Sequence, residues 1–112
     1  IREYAFRSSS LTSVTIPDRV TSIGERAFYK CNSLTSVTIG DSVISIGKSA
    51  FDICSSLTSV YCKPTTPPTG GCRMFHGNAS GRKIYVPTAS VDAYKAAEYW
   101  SNYASAIVGY DF

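Results

Sequence analysis

Leu11 to Ser33 reads LTSVTIPDRVTSIGERAFYKCNS, and it is followed directly by LTSVTIGDSVISIGKSAFDICSS from Leu34 to Ser56. Leu11 falls on Leu34, Val14 on Val37, Ile16 on Ile39, Val20 on Val43, Ile23 on Ile46, Phe28 on Phe51 and Cys31 on Cys54. A tandem repeat of about 23 residues argues against a fold built round one central core. Each unit is too short to bury its apolar side chains alone and must lay them against the next. The chain is therefore read as a solenoid, and everything outside the repeat as one of its ends.

Each unit opens on L-T-S-V-T-I, rich in β-branched residues and short enough for one strand. Leu11, Val14 and Ile16 follow the L-x-x-L-x-L spacing of leucine-rich repeats and face inward. Ser13 and Thr15 then face out, and stacking carries those positions to Ser36, Thr38, Ser59 and Tyr61. Pro17-Asp18 and Gly40-Asp41 supply turns. Val20 and Ile23, then Val43 and Ile46, form a second apolar set, and the glycine that follows each (Gly24, Gly47) suggests a backbone angle costly for other residues. Ala27-Phe28 and Ala50-Phe51 close the coil from the opposite wall.

The expected organisation is a partial coil at 1–10, full coils at 11–33 and 34–56, the start of a last coil at 57–61 and a C-terminal cap at 62–112. Lys63 to Ser80 carries Pro64, Pro67, Pro68, Gly70, Gly71 and Gly77, and is read as a loop that leaves the repeat. Lys83 to Val86 is a strand candidate. Ser90 is expected to cap a helix over VDAYKAAEYW, with Asp92 in its first turn and Val91, Tyr94 and Trp100 on its buried side. Ile107-Val108 is expected to be extended. IREYAF at the start matches IGERAF at Ile23 to Phe28, so the sequence opens in mid-repeat. It is expected to be the C-terminal piece of a longer protein and, as a fragment, to dimerise through an apolar N-terminal end that the preceding coil would fill in the parent protein.

The net charge of +3 is mild and the cations are scattered among carboxylates. Arg19, Arg26 and Lys30 share one coil but recur in the next as Ser42, Ser49 and Ile53, so they read as a solvated edge and not as a nucleic-acid surface. No apolar run is long enough to span a bilayer. Of the 4 cysteines, Cys31 and Cys54 recur at one repeat position and are expected to pack as small hydrophobes, while Cys62 and Cys72 flank the Pro/Gly loop and are placed to pair in an oxidising compartment. His76, the single histidine, stands four residues after Cys72. Neither a thiol–imidazole pair nor a zinc site with Cys62 has its full signature. Asn78-Ala79-Ser80 fits an N-glycosylation sequon, and Asp41-Ser42-Val43 fits an O-glycosylation triplet of Bacteroides-type bacteria.

L-T-S-V-T-I-P, the S-I-G turn and A-F-x-x-C-x-S-L together resemble the BspA-like, or Treponema-type, leucine-rich repeat family of bacterial surface proteins. The tail IYVPTASVDAYKAAEYWSNYASAIVGYDF resembles the terminal segment of such proteins from Bacteroides-type gut anaerobes. The resemblance implies an α/β leucine-rich-repeat solenoid, mostly β, with a parallel sheet of short strands and a capping strand and helix. It also implies export, display at the cell surface, and adhesion to proteins or glycans of host or bacterial surfaces. It implies no cofactor and carries no catalytic motif. Gly40 departs from it by replacing a proline, as does Cys72 by standing where a small residue is expected. The outward rows Ser13, Thr15, Ser36, Thr38, Ser59 and Tyr61 are the candidate binding face, with Tyr61 as its aromatic platform. The competing reading is a spacer that holds another domain away from the cell.

Overall fold

The computed structural model describes residues 1–112. Seven strands run in chain order as β1 (Ser13–Ile16), β2 (Ser22–Ile23), β3 (Ser36–Ile39), β4 (Ser45–Ile46), β5 (Ser59–Cys62), β6 (Lys83–Pro87) and β7 (Ile107–Tyr110), with one α-helix, α1 (Val91–Ala96), between the last two strands. Five of them form a parallel sheet in the order β1-β3-β5-β6-β7, and β2 and β4 form a second, narrow parallel pair. The register follows the repeat: Val14 faces Val37, Val37 faces Val60, and Val60 faces Ile84. Because side chains alternate along a strand, the row from Val14 to Ile84 and the row Ile16, Ile39, Cys62, Val86 both line the interior.

The third wall of each coil is a turn-rich segment with two left-handed residues. Tyr4 and Ser8, Arg26 and Lys30, Ser49 and Ile53, and Arg73 and Gly77 occupy the same two positions in successive coils, with φ between 53° and 71°. Left-handed backbone is unfavourable for seven of these eight residues and most so for β-branched Ile53. It persists because it aims alternate amides along the stack. The N–H groups of Tyr4, Phe6 and Ser8 donate to the carbonyls of Glu25, Ala27 and Tyr29 at 2.7 to 3.0 Å, and the pattern repeats from Arg26, Phe28 and Lys30 to Lys48, Ala50 and Asp52. The intervening amides of Ala5, Arg7 and Ser9 turn back within their own coil. This ladder has a direction: donors point towards the C-terminal end, so the carbonyls of Glu3, Ala5 and Arg7 face the open N-terminal end.

Inside this wall runs a column of stacked rings, Phe6, Phe28, Phe51 and Phe75, with centroids 5.1, 5.0 and 5.5 Å apart. Beside it the Cys31 thiol donates to the Phe6 carbonyl at 3.1 Å and the Cys54 thiol to the Phe28 carbonyl at 3.0 Å. Asn78 takes the next place in that column, its Nδ2 donating to the Phe51 carbonyl at 2.9 Å.

Phe75 and Asn78 overturn one expectation. The stretch from Lys63 to Ser80 does not leave the repeat; it completes a third coil. Thr69 bridges to Ser45 beside β4, and the amides of Ser49, Phe51 and Ile53 find the carbonyls of Cys72, Met74 and His76 at 2.8 to 2.9 Å. Prolines are tolerated because Pro64, Pro67 and Pro68 fall between the two ladders, where no stacking amide is required. The recurring glycine also has a different cause from the one expected. Gly24 and Gly47 do not have positive φ; a Cβ on them would lie 2.5 Å from the backbone nitrogen of Glu3 and of Glu25, and Gly71 meets Lys48 in the same way.

Beyond the third coil, β6 and β7 extend the sheet while α1 and a 3-10 segment (Trp100–Ala106) cover the end of the stack. The helix is shorter than expected. It stops at Ala96, and Tyr99 at φ 68° reverses the chain before Trp100. Ser90 does not cap it: its hydroxyl donates to the Thr65 carbonyl at 2.7 Å. Tyr94 and Trp100 are fully buried and meet edge to face at 4.8 Å, and they donate to the carbonyls of Pro64 and Pro68. The ladder itself ends on a side chain, with the Phe75 amide donating to the Tyr103 hydroxyl at 3.2 Å.

Candidate functional site

Odd-numbered positions of β1 and β5 and even-numbered positions of β3 point away from the core, and the register sets them side by side. Ser13, Ser36, Ser59 and Lys83 form one row. Thr15, Thr38, Tyr61, Tyr85 and Val108 form the next. The six outward residues read from the sequence thus lie on one face of the five-stranded sheet, with Ser13 and Thr15 exposed at the open edge and Ser36, Thr38, Ser59 and Tyr61 half-buried towards the middle. Thr35 and Thr58 are occupied otherwise, as their hydroxyls donate to the carbonyls of Thr12 and Thr35 in the preceding coils.

Tyr61 is not a lone aromatic. Tyr85 stacks on it with centroids 4.8 Å apart, Tyr110 sets its ring at steep angles to both at 5.4 and 5.6 Å, and Phe112 packs on Tyr110 at 4.9 Å. Between this cluster and the threonine row lies a shallow hollow of about 410 Å³ lined by Thr38, Tyr61, Lys63, Tyr110 and Phe112. Tyr85, Tyr110 and Phe112 were not singled out in the sequence because none of them lies in the repeat. The signal that finds Tyr85 is the alternation of Lys83 to Pro87, which puts it on the outer face once β6 is paired with β5.

The chemistry considered for Cys62, Cys72 and His76 does not assemble. All four cysteines are free. Cys62 points inward from β5 of the five-stranded sheet, next to the Tyr94 hydroxyl at 3.4 Å, while Cys72 belongs to the turn-rich third wall, the back wall of the coil, so they lie on opposite sides of the coil. Burial pushes the Cys62 thiol up to about 12, which keeps it protonated and inert. His76 pairs with Asp52 and not with Cys72: its Nδ1 lies 3.0 Å from Oδ1, and Arg73 Nε donates to Oδ2 at 3.1 Å. Asp52 is buried and its two partners are half-exposed, an arrangement that ties the third coil to the second. No three His, Cys, Asp or Glu side chains come together as a metal set.

Asn78, the sequon asparagine, holds its amide on Phe51, Cys54 and Arg82. Ser42 of the Asp41-Ser42-Val43 triplet is exposed. Arg26 and Lys30, read as a solvated edge, sit among aromatic rings. Arg26 lies over Tyr4 and Tyr29, Lys30 over Tyr29, and Arg26 also pairs with Glu25 at 2.6 Å.

Short parallel strands stacked at a fixed repeat, a narrow second wall and a hydrogen-bonded turn wall define a leucine-rich-repeat solenoid. Over residues 1–100 the chain matches the family described as BspA type leucine rich repeat region, in 6 copies, and it belongs to that family. No curated protein matches it. Repeat scaffolds of this kind serve protein–protein interaction, and no helix here is long and apolar enough to cross a membrane.

Proposed function

We propose that this protein is a non-catalytic, exported adhesion module that displays its outer sheet face to proteins or glycans on host or bacterial surfaces. Residues 62–112 finish the stack and end it, and 80–112 in particular close it against water. The observation that carries the reading is the outer face itself: rows of hydroxyls on a rigid parallel sheet, ending in four clustered aromatic side chains that contribute nothing to the core. Burying exposed rings against a partner is a common source of interface affinity. As an isolated 112-residue chain it is proposed to dimerise through the N-terminal end, where β1 has a free edge and Ile1, Phe6, Leu11, Val14 and Val20 line an apolar recess of about 300 Å³, a place that a preceding coil would fill in a longer protein.

The test is capture of the purified protein on immobilised host matrix proteins and on whole bacterial cells. Saturable binding to a member of the panel that soluble protein competes away is the expected result. Uniform failure across matrix proteins, host cells and bacteria would overturn the adhesion reading and leave the spacer.

A further inference from the structure

Tyr61 and Tyr85 stand on adjacent strands with their rings nearly parallel, 12° apart, so Tyr85 covers one face of Tyr61. The other face looks over Thr38, its register partner on β3. The drop from a tyrosine to a threonine makes the floor of the hollow. Tyr110 and Phe112 form a second wall, and they are among the few large apolar side chains left open to solvent, at 44% and 51% exposure. A recess of about 410 Å³ is at the small end of ligand sites and fits one sugar ring.

The strand order decides which class of ligand fits. β3 and β5 are each paired on both sides, in the order β1-β3-β5-β6-β7, so the hollow offers no free backbone N–H or C=O to an extended peptide. Strand addition is confined to the outer edges of β1 and β7. Recognition at the hollow rests on side chains alone: flat ring faces, the hydroxyls of Thr38, Tyr61 and Tyr110, and the Lys63 ammonium. A pyranose matches that set, since its axial C–H groups pack on a ring face while its equatorial hydroxyls meet donors and acceptors at the rim.

Charge narrows the class further. The lining contains one cation and no carboxylate side chain. Lys63 reaches out to Asp18 at 3.3 and 3.5 Å, but Asp18 is 57% exposed, and such solvent-screened pairs contribute little. The ammonium is therefore available to an anionic group entering beside it.

We infer that the hollow is a subsite for an anionic sugar, a pyranose bearing a carboxylate or sulfate, within a surface carbohydrate. The inference rests on the outer face being the binding face and names what one part of it takes.

The full chain is titrated by calorimetry with a uronic-acid oligosaccharide, a sulfated oligosaccharide and a neutral oligoglucose of matched length. One or both anionic sugars bind at least tenfold more tightly than the neutral one, and the two anionic arms show whether carboxylate or sulfate is preferred. Tyr110→Ala, at an exposed ring outside the core, weakens that binding at least tenfold with an unchanged melting temperature. Lys63→Gln brings the anionic sugars down to the neutral level. Equal affinity for neutral and anionic sugars, or binding indifferent to Tyr110→Ala, overturns the assignment. If no sugar binds while the protein still adheres to its surfaces, the subsite falls and the adhesion reading stands. If both assays fail, both fall.

Discussion

Phe28 is held between Phe6 and Phe51 with no solvent exposure, whereas Thr15 stands exposed at the edge of the sheet. Phe28→Ala leaves a cavity in the ring column and is expected to cost about 3 to 5 kcal/mol, against less than about 1 kcal/mol for Thr15→Ala. Equal shifts in urea midpoint would mean that the inward and outward faces are misassigned. The buried thiols give a second prediction. Burial pushes Cys54 and Cys62 up to about 12 from an ordinary 9.0. Below pH 9 the thiols are protonated in both folded and unfolded chains and nothing is lost. Above it the unfolded chain releases protons that the folded chain retains, so stability falls as pH rises, by about 1.4 kcal/mol per pH unit for each thiol once past its unfolded value. Cys62→Val, which matches its row neighbour Val86, should flatten part of the decline measured between about pH 9 and pH 11. An unchanged decline would mean that Cys62 is not shielded from water. Residues at this scale were legible wherever they recurred. Phe28 and Phe51 announced the column, but Phe75 did not, because it follows Phe51 by 24 residues instead of 23 and is preceded by Met74 where alanine stood before. Asn78 was hidden for a related reason: the column position is defined by a donor to a carbonyl, which an amide supplies as well as a thiol does.

At the scale of elements, the strands of the repeat were readable from β-branched runs, and β6 and β7 from short apolar alternation. The C-terminal helix was readable in kind but not in length. VDAYKAAEYW contains strong helix formers throughout, so propensity favours a longer helix than the six residues from Val91 to Ala96. Tertiary packing overrides it: the reversal at Tyr99 is what lets Trp100 enter the end of the stack, with its Nε1 on Pro68. The fluorescence of this single tryptophan should be blue-shifted in the native protein and should change with the global unfolding transition. Trp100→Phe, which removes the hydrogen bond and part of the buried volume, is expected to destabilise by about 1 to 3 kcal/mol. A solvent-like emission spectrum in the native state would show that the tail does not close the third coil. The third coil itself escaped the sequence because its prolines and glycines resemble loop composition, and only the ladder amides distinguish a coil from a loop.

For the whole molecule, the ends differ in kind. The C-terminal end is closed by α1 and the 3-10 segment, while the N-terminal end carries exposed Phe6, the free edge of β1 and three outward carbonyls. A two-fold contact through the back wall would set those carbonyls against each other, so the pairing proposed for the isolated chain runs through β1 and the apolar recess and not through the turn ladder. Sedimentation should show concentration-dependent dimerisation that Phe6→Asp abolishes; a monomer at every concentration would refute it. The outer hydroxyl face was legible from the alternation of Ser13 and Thr15. Its aromatic end was not, because a parallel neighbour for β5 comes from Lys83 to Pro87, outside the repeat, and only the fold brings Tyr85, Tyr110 and Phe112 to Tyr61.

The most direct test of the account is to compare two single variants for binding to whichever matrix protein or cell surface the wild type captures. Thr38→Glu sets a carboxylate in the middle of the outer face, on the floor of the hollow, while Lys48→Glu changes an exposed charge on the back wall. The account predicts that Thr38→Glu lowers affinity at least tenfold with its melting temperature preserved and that Lys48→Glu leaves affinity unchanged. Full binding by Thr38→Glu together with loss in Lys48→Glu would contradict it and move the interface to the back wall.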